Sequence, residues 1–178
     1  ARVWFLAHEV FDRDGLYGPA GSEYADNHVR FALWTRGALA LSARVCPSPD
    51  VLHLHDWQAA LAAVDLRGGG IRPAGFESTR IVFTIHNLAY MGTCDRAALA
   101  ELDLSDDLFR ADGLEFWGRV ALLKGGLLWA DALTTVSPRY AQEIRTPAFG
   151  VGLEGLLHAR AEVLHGILNG IDDQLWNP

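Results

Sequence analysis

Short runs of β-branched and apolar residues alternate along the chain with longer segments in which apolar residues recur at helical spacing. The short runs predict five strands, at residues 2–7, 51–55, 80–85, 132–136 and 163–168. The longer segments predict helices at 27–43, 57–66, 116–129, 138–144 and 153–160. Strands that alternate with helices pair in parallel, so the pattern predicts an α/β fold with a doubly wound parallel sheet in one domain.

Local signals refine two of these helices. Asp56 directly precedes the helix at 57–66, and we expect its carboxylate to cap the first turn of that helix. Gly125 and Gly126 lie inside the predicted long helix at 116–129. Two adjacent glycines in a largely apolar helix predict close packing against a neighbouring element.

Composition narrows the class of protein. Half of the 178 residues are hydrophobic, which predicts a stably folded globular body. The formal net charge is −7 and the arginines are scattered, so we expect no nucleic-acid partner. The longest apolar stretch, 120–132, is interrupted by charged residues and glycines, so we expect no membrane partner either.

The two cysteines bear on the cellular compartment of the protein, and the two ends of the chain bear on whether it is complete. Cys46 and Cys94 are far apart and show no metal-ligand spacing, which predicts free thiols in a reducing, cytoplasmic compartment. The first residues read as a strand already under way, and the last residues follow a turn without a closing helix. We therefore expect the chain to be an incomplete piece of a larger protein.

Polar side chains follow two of the predicted strands at the point where each strand ends. His55 and Asp56 end the strand at 51–55, and His86 and Asn87 follow the strand at 80–85. Open α/β sheets bind their ligands at the carboxyl ends of their strands. The repeated arrangement therefore predicts a functional site at this edge of the sheet.

Other interpretations of these residues stay open. His53 and His55 point to the same face of a strand, and together with His86 they could hold a metal ion in a metal-dependent hydrolase, although further ligands are expected at such a site. His53 fits a hydrogen-bonded core histidine better, and Asp56 fits a helix cap. The Trp57 indole belongs either in the core or against a sugar.

Seven segments spread over nearly the whole chain are considered together: Tyr24–Asn27 with Arg30 and Phe31, His55–Trp57, Thr84–Gly92, Lys124–Leu127 with Ala130 and Asp131, Thr135–Pro138, Gly152–Leu157 and Asn169–Asp172. They contain the motifs HDW, TxHNLAYxG, TxVSPxYAxEI and NGID, a combination that is highly specific. In these motifs and in their order the chain resembles bacterial glycogen synthases and plant starch synthases.

The resemblance implies a retaining glucosyltransferase of the GT-B type, with two Rossmann-like domains. Such an enzyme transfers glucose, usually from ADP-glucose, to the non-reducing end of an α-1,4-glucan, and it needs no metal or other cofactor. Residues 1–178 then correspond to an incomplete N-terminal, acceptor-side domain. The first strand with its Lys-Thr-Gly-Gly loop and the C-terminal nucleotide-binding domain are expected outside the chain.

The resemblance also assigns site residues. His86 and Asp56 would be catalytic, with His86 at the reacting glucosyl unit and Asp56 facing the cleft. The residues implied to bind substrate are Asn87, Asn169, Trp57 and Tyr17. We expect the isolated chain to be inactive, and a non-catalytic glucan-binding module is the alternative.

Several positions qualify the resemblance. The family often carries His where Gln58 stands and Gln where Met91 stands, which puts acceptor contacts there in question. Lys124, Arg30 and Glu154 match family positions, but structural ion pairs explain these three residues equally well.

Overall fold

A computed structural model describes residues 2–20 and 22–176. The helices are α1 (Asn27–Val45), α2 (Asp56–Arg67), α3 (Ala98–Glu101), α4 (Leu122–Trp129), α5 (Pro138–Glu143) and α6 (Glu154–Ala159). The strands are β1 (Val51–His55), β2 (Arg80–Ile85), β3 (Thr93–Cys94), β4 (Glu115–Phe116), β5 (Arg119–Ala121), β6 (Ala132–Thr135) and β7 (Leu164–Gly166). Short 3-10 turns occur at Glu9–Phe11, Asp106–Leu108 and Ala161–Val163.

Four strands form a parallel sheet in the order β1-β2-β6-β7, which confirms the predicted parallel α/β architecture. The register places His55 beside Thr84 and Thr84 beside Thr134. A smaller antiparallel sheet, in the order β3-β5-β4, follows the end of β2. Because the four strands of the main sheet run the same way, their carboxyl ends share one edge, and the segments after β1 and β2 meet there.

One face of the main sheet is buried beneath α2 and α4. Its fully covered side chains include Ile81, Phe83 and Leu133. The glycine pair of α4 faces this layer, since a Cβ on Gly126 would clash with the Phe83 ring and one on Gly125 would clash with Val64 of α2. The predicted close packing of this glycine pair is confirmed.

The opposite face of the sheet is more open at its β1 end. His53 and His55 project there and are exposed. Thr84 on β2 is buried, and its hydroxyl bonds to both His53 and the hydroxyl of Thr134. The polar residues of this face therefore form a connected row across β1, β2 and β6.

Two predicted elements are wrong. Residues 2–7 form no strand, and Val3, Trp4 and Phe5 are exposed because no neighbouring strand pairs with this segment. The predicted helix at 116–129 is instead the β4–β5 hairpin followed by α4. Trp117 and Gly118 both have positive φ angles, which form the hairpin turn and prevent a helix from beginning before it.

No helix in the part of the chain that the structure describes is both long enough and apolar enough to cross a membrane.

Candidate functional site

A cavity of about 220 Å³ lies at the carboxyl edge of the sheet, next to the ends of β1 and β2. It contains four of the residues that the sequence predicts for the site: Tyr17, Asp56, Trp57 and Asn87. The complete lining is Tyr17, Glu23, Asp56, Trp57, Gln58, Asn87 and Tyr90. His86 lies between the lining residue Asn87 and the end of β2.

Asp56 links the two strand ends. Its Oδ1 accepts a hydrogen bond from the main-chain N–H of His86 at 2.8 Å. Its φ angle is +55°, a left-handed conformation that Asp tolerates better than most residues. The expected helix cap is wrong: His55 occupies the N-cap position of α2, without a side-chain cap, and the Asp56 carboxylate bonds across to β2 instead.

Three imidazoles lie in a row beside this bond. The rings of His53 and His55 are tilted by 34° to one another with their centroids 4.3 Å apart, and His55 Nδ1 lies 3.0 Å from His86 Nε2. His53 is hydrogen-bonded as predicted, through Nε2 to the Thr84 hydroxyl at 2.7 Å, but the core placement is wrong because its face of β1 is uncovered. In residues 2–20 and 22–176, no three His, Cys, Asp or Glu side chains are grouped as a metal site requires.

Aromatic residues form one wall of the cavity. Trp57 is only 6 % exposed, and it packs edge-on against Phe31 at 4.8 Å and lies over the backbone of Gly92. Trp57 is thus a core residue with one edge at the cavity. Tyr17, 6.4 Å from the Trp57 ring, is more exposed, and its hydroxyl accepts a hydrogen bond from Gln58 Nε2 at 2.7 Å.

The turn after β2 fixes Asn87. The side-chain Oδ1 of Asn87 accepts a hydrogen bond from the N–H of Ala89 at 3.0 Å. The N–H of Leu88, which lies between Asn87 and Ala89, donates to the Tyr140 hydroxyl on α5 at 3.1 Å. Neither of these hydrogen bonds uses the side-chain amide nitrogen of Asn87. Because Asn87 is exposed, this nitrogen can donate to a ligand.

Comparison with known proteins matches residues 1–159 to the family described as the starch synthase catalytic domain. The chain belongs to this family.

Individual relatives agree with the match to the starch synthase family. The chain is 52% identical over 168 residues to the glycogen synthase of Myxococcus xanthus (strain DK1622) and 49% identical over 170 residues to that of Geotalea uraniireducens (strain Rf4). These alignments cover 94% and 96% of this chain and 35% of each relative. The chain therefore spans about a third of the length of the curated relatives.

A solved structure shows the same fold. The catalytic domain of starch synthase IV from Arabidopsis thaliana, bound to ADP and acarbose, superimposes with a TM-score of 0.75 at 38% identity. The match covers 92% of this chain and 34% of the plant chain. The fold is thus that of a GT-B glycosyltransferase domain.

Family-matching residues outside the cavity hold the loop that carries Tyr17. Asn27 Nδ2 donates to the Tyr17 carbonyl at 2.8 Å, and Arg30 Nη1 donates to the Leu16 carbonyl at 3.2 Å. Arg30 also donates to Asn27 Oδ1 at 2.6 Å, in a buried contact. The starch synthase motif at the start of α1 therefore positions a cavity residue through backbone contacts.

Arg30, Lys124 and Glu154 have structural contacts, as one of the two interpretations of these residues required, but within the described part of the chain those contacts are hydrogen bonds and not ion pairs. Lys124 Nζ donates to the carbonyls of Ala111, at 2.9 Å, and Glu115. Burial lowers the pKa of Lys124, and nearby carboxylates partly oppose that shift. Glu154 accepts the N–H of Gly152 at 2.9 Å. Lys124 and Glu154 thus bind backbone groups, and Arg30 binds backbone carbonyls and the Asn27 side chain.

One predicted substrate-binding residue lies away from the cavity. Asn169 is exposed in the segment after β7, at the same sheet edge but two strands from β2.

The chain departs from the family pattern at two positions, Met91 and Gln58. Met91 is buried in the core, whereas Gln58 lines the cavity.

The sequence did not predict that Glu23 and Tyr90 line the cavity. It also did not predict that the ring of His55 is hydrogen-bonded to that of His86. Tyr90 belongs to the TxHNLAYxG motif at 84–92, and its place in that motif is the feature of the sequence that could have indicated it. Glu23 lines the cavity together with Tyr17 and Trp57, which are far apart in the sequence, and no local pattern predicts that contact.

Proposed function

We propose that this chain is the acceptor-side part of a glycogen or starch synthase. The enzyme would transfer glucose, with retention of configuration, from ADP-glucose to the non-reducing end of an α-1,4-glucan. The observation that carries the proposal is the meeting of Asp56, Trp57, Asn87 and Tyr17 in one cavity beside His86, in a chain of the starch synthase family.

The charge of the cavity suits a sugar more than a phosphate. Among the described residues, those that line it include the acidic side chains Glu23 and Asp56 and no Lys or Arg. Glucosyl transfer passes through an oxocarbenium-like centre, which a nearby carboxylate and oriented dipoles stabilise. The departing diphosphate needs cations, which we assign to a second, nucleotide-binding domain outside this chain.

In this proposal His86 contacts the reacting glucosyl unit, and Asn87 binds beside it. Asp56 places negative charge at the cleft, while Trp57 and Tyr17 contact the glucan. Asn169 would meet the donor near the crevice between domains, which is consistent with its place at the same edge of the sheet. The reaction uses no metal or further cofactor, and we place the enzyme in the cytoplasm.

The space around the site suits an extended acceptor. A groove of about 560 Å³ adjoins the cavity and shares Glu23 and Trp57 with it. A glucan chain with its non-reducing end in the smaller cavity could continue along this groove. Starch synthase IV bound to ADP and acarbose gives independent support for an adenine-nucleotide donor and a saccharide acceptor.

Glucose incorporation tests the proposal. The full-length protein that contains this chain is incubated with labelled ADP-glucose and glycogen, and the 178-residue chain is assayed in parallel. We expect incorporation by the full-length protein and negligible incorporation by the chain alone. An inactive full-length protein would contradict the proposed activity. Near-equal rates for the full-length protein and the 178-residue chain would contradict the proposal that this chain supplies only the acceptor side of the site.

A glucan-binding module without catalysis is the second candidate, favoured by the aromatic lining and by the absence of Lys and Arg among the lining residues. Titration of the full-length protein with maltoheptaose, followed by tryptophan fluorescence, separates the candidates when combined with the transfer assay. Saturable binding with incorporation supports the synthase, and saturable binding without incorporation supports the module. A flat titration contradicts both candidates.

A further inference from the structure

The hydrogen bond between His55 and His86 restricts what His86 can present to a ligand. His55 Nδ1 and His86 Nε2 are 3.0 Å apart, and one proton lies between them. A neutral imidazole has one N–H donor and one bare acceptor nitrogen. Since Nε2 of His86 is occupied by His55, Nδ1 is the ring nitrogen left for a sugar.

We propose that His55 is a positioning residue that donates its Nδ1–H to His86 Nε2 and so holds the proton of His86 on Nδ1. His86 then offers an N–H donor to a sugar oxygen. In water a free histidine favours the proton on Nε2, so the presentation of an Nδ1–H requires a partner such as His55. The catalytic consequence of this inference rests on the proposed glucosyl transfer.

Contacts on both sides hold the donor ring in place. The His55 ring packs against the ring of His53, whose Nε2 is hydrogen-bonded to the Thr84 hydroxyl at 2.7 Å. Thr84 is bonded in turn to Thr134 at 2.6 Å. This row of contacts runs from β1 through β2 to β6. It holds the imidazole ring of His55 in one orientation.

The other half of the pair is equally constrained. The main chain of His86 is fixed by the bond from its N–H to Asp56 Oδ1. Reduced hydration among the neighbouring rings lowers the pKa of His55, and repulsion from His53 and His86 acts in the same direction, against the attraction of Asp56. A neutral His55 at neutral pH can serve as the donor in this bond while His86 keeps a bare Nε2.

The protonation of His86 can be read by long-range ¹H–¹⁵N NMR correlations of the full-length protein that contains this chain, with its histidines labelled with ¹⁵N. We expect the wild-type spectrum to show Nδ1 protonated and Nε2 bare. His55→Phe should return His86 to the Nε2-protonated form or to a mixture. His55→Asn, whose amide nitrogen occupies the place of Nδ1, should restore the wild-type signals.

His158→Phe is the matched control, because His158 is exposed on α6 and lies outside the row of contacts that holds His55. It should leave the His86 signals unchanged. A wild-type His86 that is protonated on Nε2, or one that keeps its Nδ1 proton in His55→Phe, would overturn the inference. Should His55→Phe fail to fold, His55→Gln replaces it, since its amide reaches the position of Nε2 instead.

Kinetics of the full-length protein separate this inference from the proposed function. We expect His55→Phe to lower kcat by about tenfold or more, with little change in the KM for glycogen, and His55→Asn to recover most of the loss. An inactive wild type would count against the proposed function alone. An active wild type with an equal kcat for His55→Phe would overturn the positioning role.

Discussion

The main-chain N–H of His86 donates to Asp56 Oδ1 at 2.8 Å, and this hydrogen bond links the residues that directly follow β1 and β2. The two residues are 30 positions apart in the sequence. Parallel pairing of the strands brings them together, and the left-handed backbone of Asp56 turns its carboxylate towards β2 rather than into the first turn of α2. Unusual backbone geometry of this kind often accompanies functional sites.

Substitution of Asp56 should separate its charge from its structural role. Asp56→Asn keeps an acceptor for the His86 N–H and tolerates the left-handed conformation, so the free energy of unfolding should change by less than about 0.5 kcal/mol. In the full-length protein, loss of the negative charge should lower kcat by about a hundredfold.

Asp56→Ala removes the acceptor and also strains the backbone, so it should cost about 1–3 kcal/mol of stability. Urea unfolding and transfer kinetics on the same preparations measure both effects. A wild-type kcat for Asp56→Asn would show that the charge is not used.

The pKa of His55 predicts a loss of stability in mild acid. Reduced hydration beside the neighbouring imidazole rings lowers this pKa from 6.5, and repulsion from His53 and His86 outweighs the attraction of Asp56. The unfolded chain therefore binds a proton near pH 6.5 that the folded chain binds only at lower pH. Because the unfolded state then holds more protons, stability should fall as the pH drops from about 7.5 to about 5.5.

Urea unfolding at several pH values measures this fall, and His55→Asn should make it smaller. The depressed pKa values of Asp26, which is paired with Arg13, and of Asp106, which is paired with Arg96, act at lower pH and do not interfere. Identical pH dependence for His55→Asn and wild type would contradict the assignment.

Two glycine substitutions should have opposite effects on stability. A Cβ at Gly126 would clash with the Phe83 ring in the core, so Gly126→Ala should destabilise the chain by about 1–3 kcal/mol. A Cβ at Gly155, within α6, meets nothing within 4 Å. Gly155→Ala should therefore stabilise by about 0.5–1 kcal/mol, and equal effects in thermal unfolding would contradict the close packing of α4.

The two thiols should differ in reactivity. Burial raises the pKa of Cys94 to about 11, whereas Cys46 is exposed. Because the thiolate is the reactive form, one thiol per folded chain should react rapidly with a disulfide reagent at mildly alkaline pH, and two should react after denaturation. Cys46→Ser should abolish the rapid reaction, and rapid labelling of folded Cys46→Ser would contradict the burial of Cys94.

Local patterns predicted the parallel strands well. The bounds of β1 and β2 agree with the sequence because each is a β-branched run that ends abruptly in polar residues. The segment at 2–7 has the same composition, yet it forms no strand, because a strand requires a partner and composition does not supply one. The residues before α4, at 116–121, were predicted to be helical but belong to the β4–β5 hairpin, because a short apolar run is compatible with either a strand or a helix.

The site was predicted in part. Position at the strand ends indicated His86, Asn87 and Asp56, and the structure brings Asp56 and Asn87 to one cavity next to His86. The bond from the His86 main chain to Asp56 and the ring pair of His55 and His86 depend on the register of two strands. Such contacts between distant segments leave no periodic signal in the sequence.

The most direct test of the account is the kinetics of His86→Ala in the full-length protein, with ADP-glucose and glycogen as substrates. His158→Ala, which removes an exposed histidine from α6, is the matched control. A group that serves the reacting centre acts chiefly in the transition state, so His86→Ala should lower kcat by about a hundredfold or more while the KM for glycogen changes by less than about threefold. Equal kinetics for His86→Ala and wild type would contradict the account.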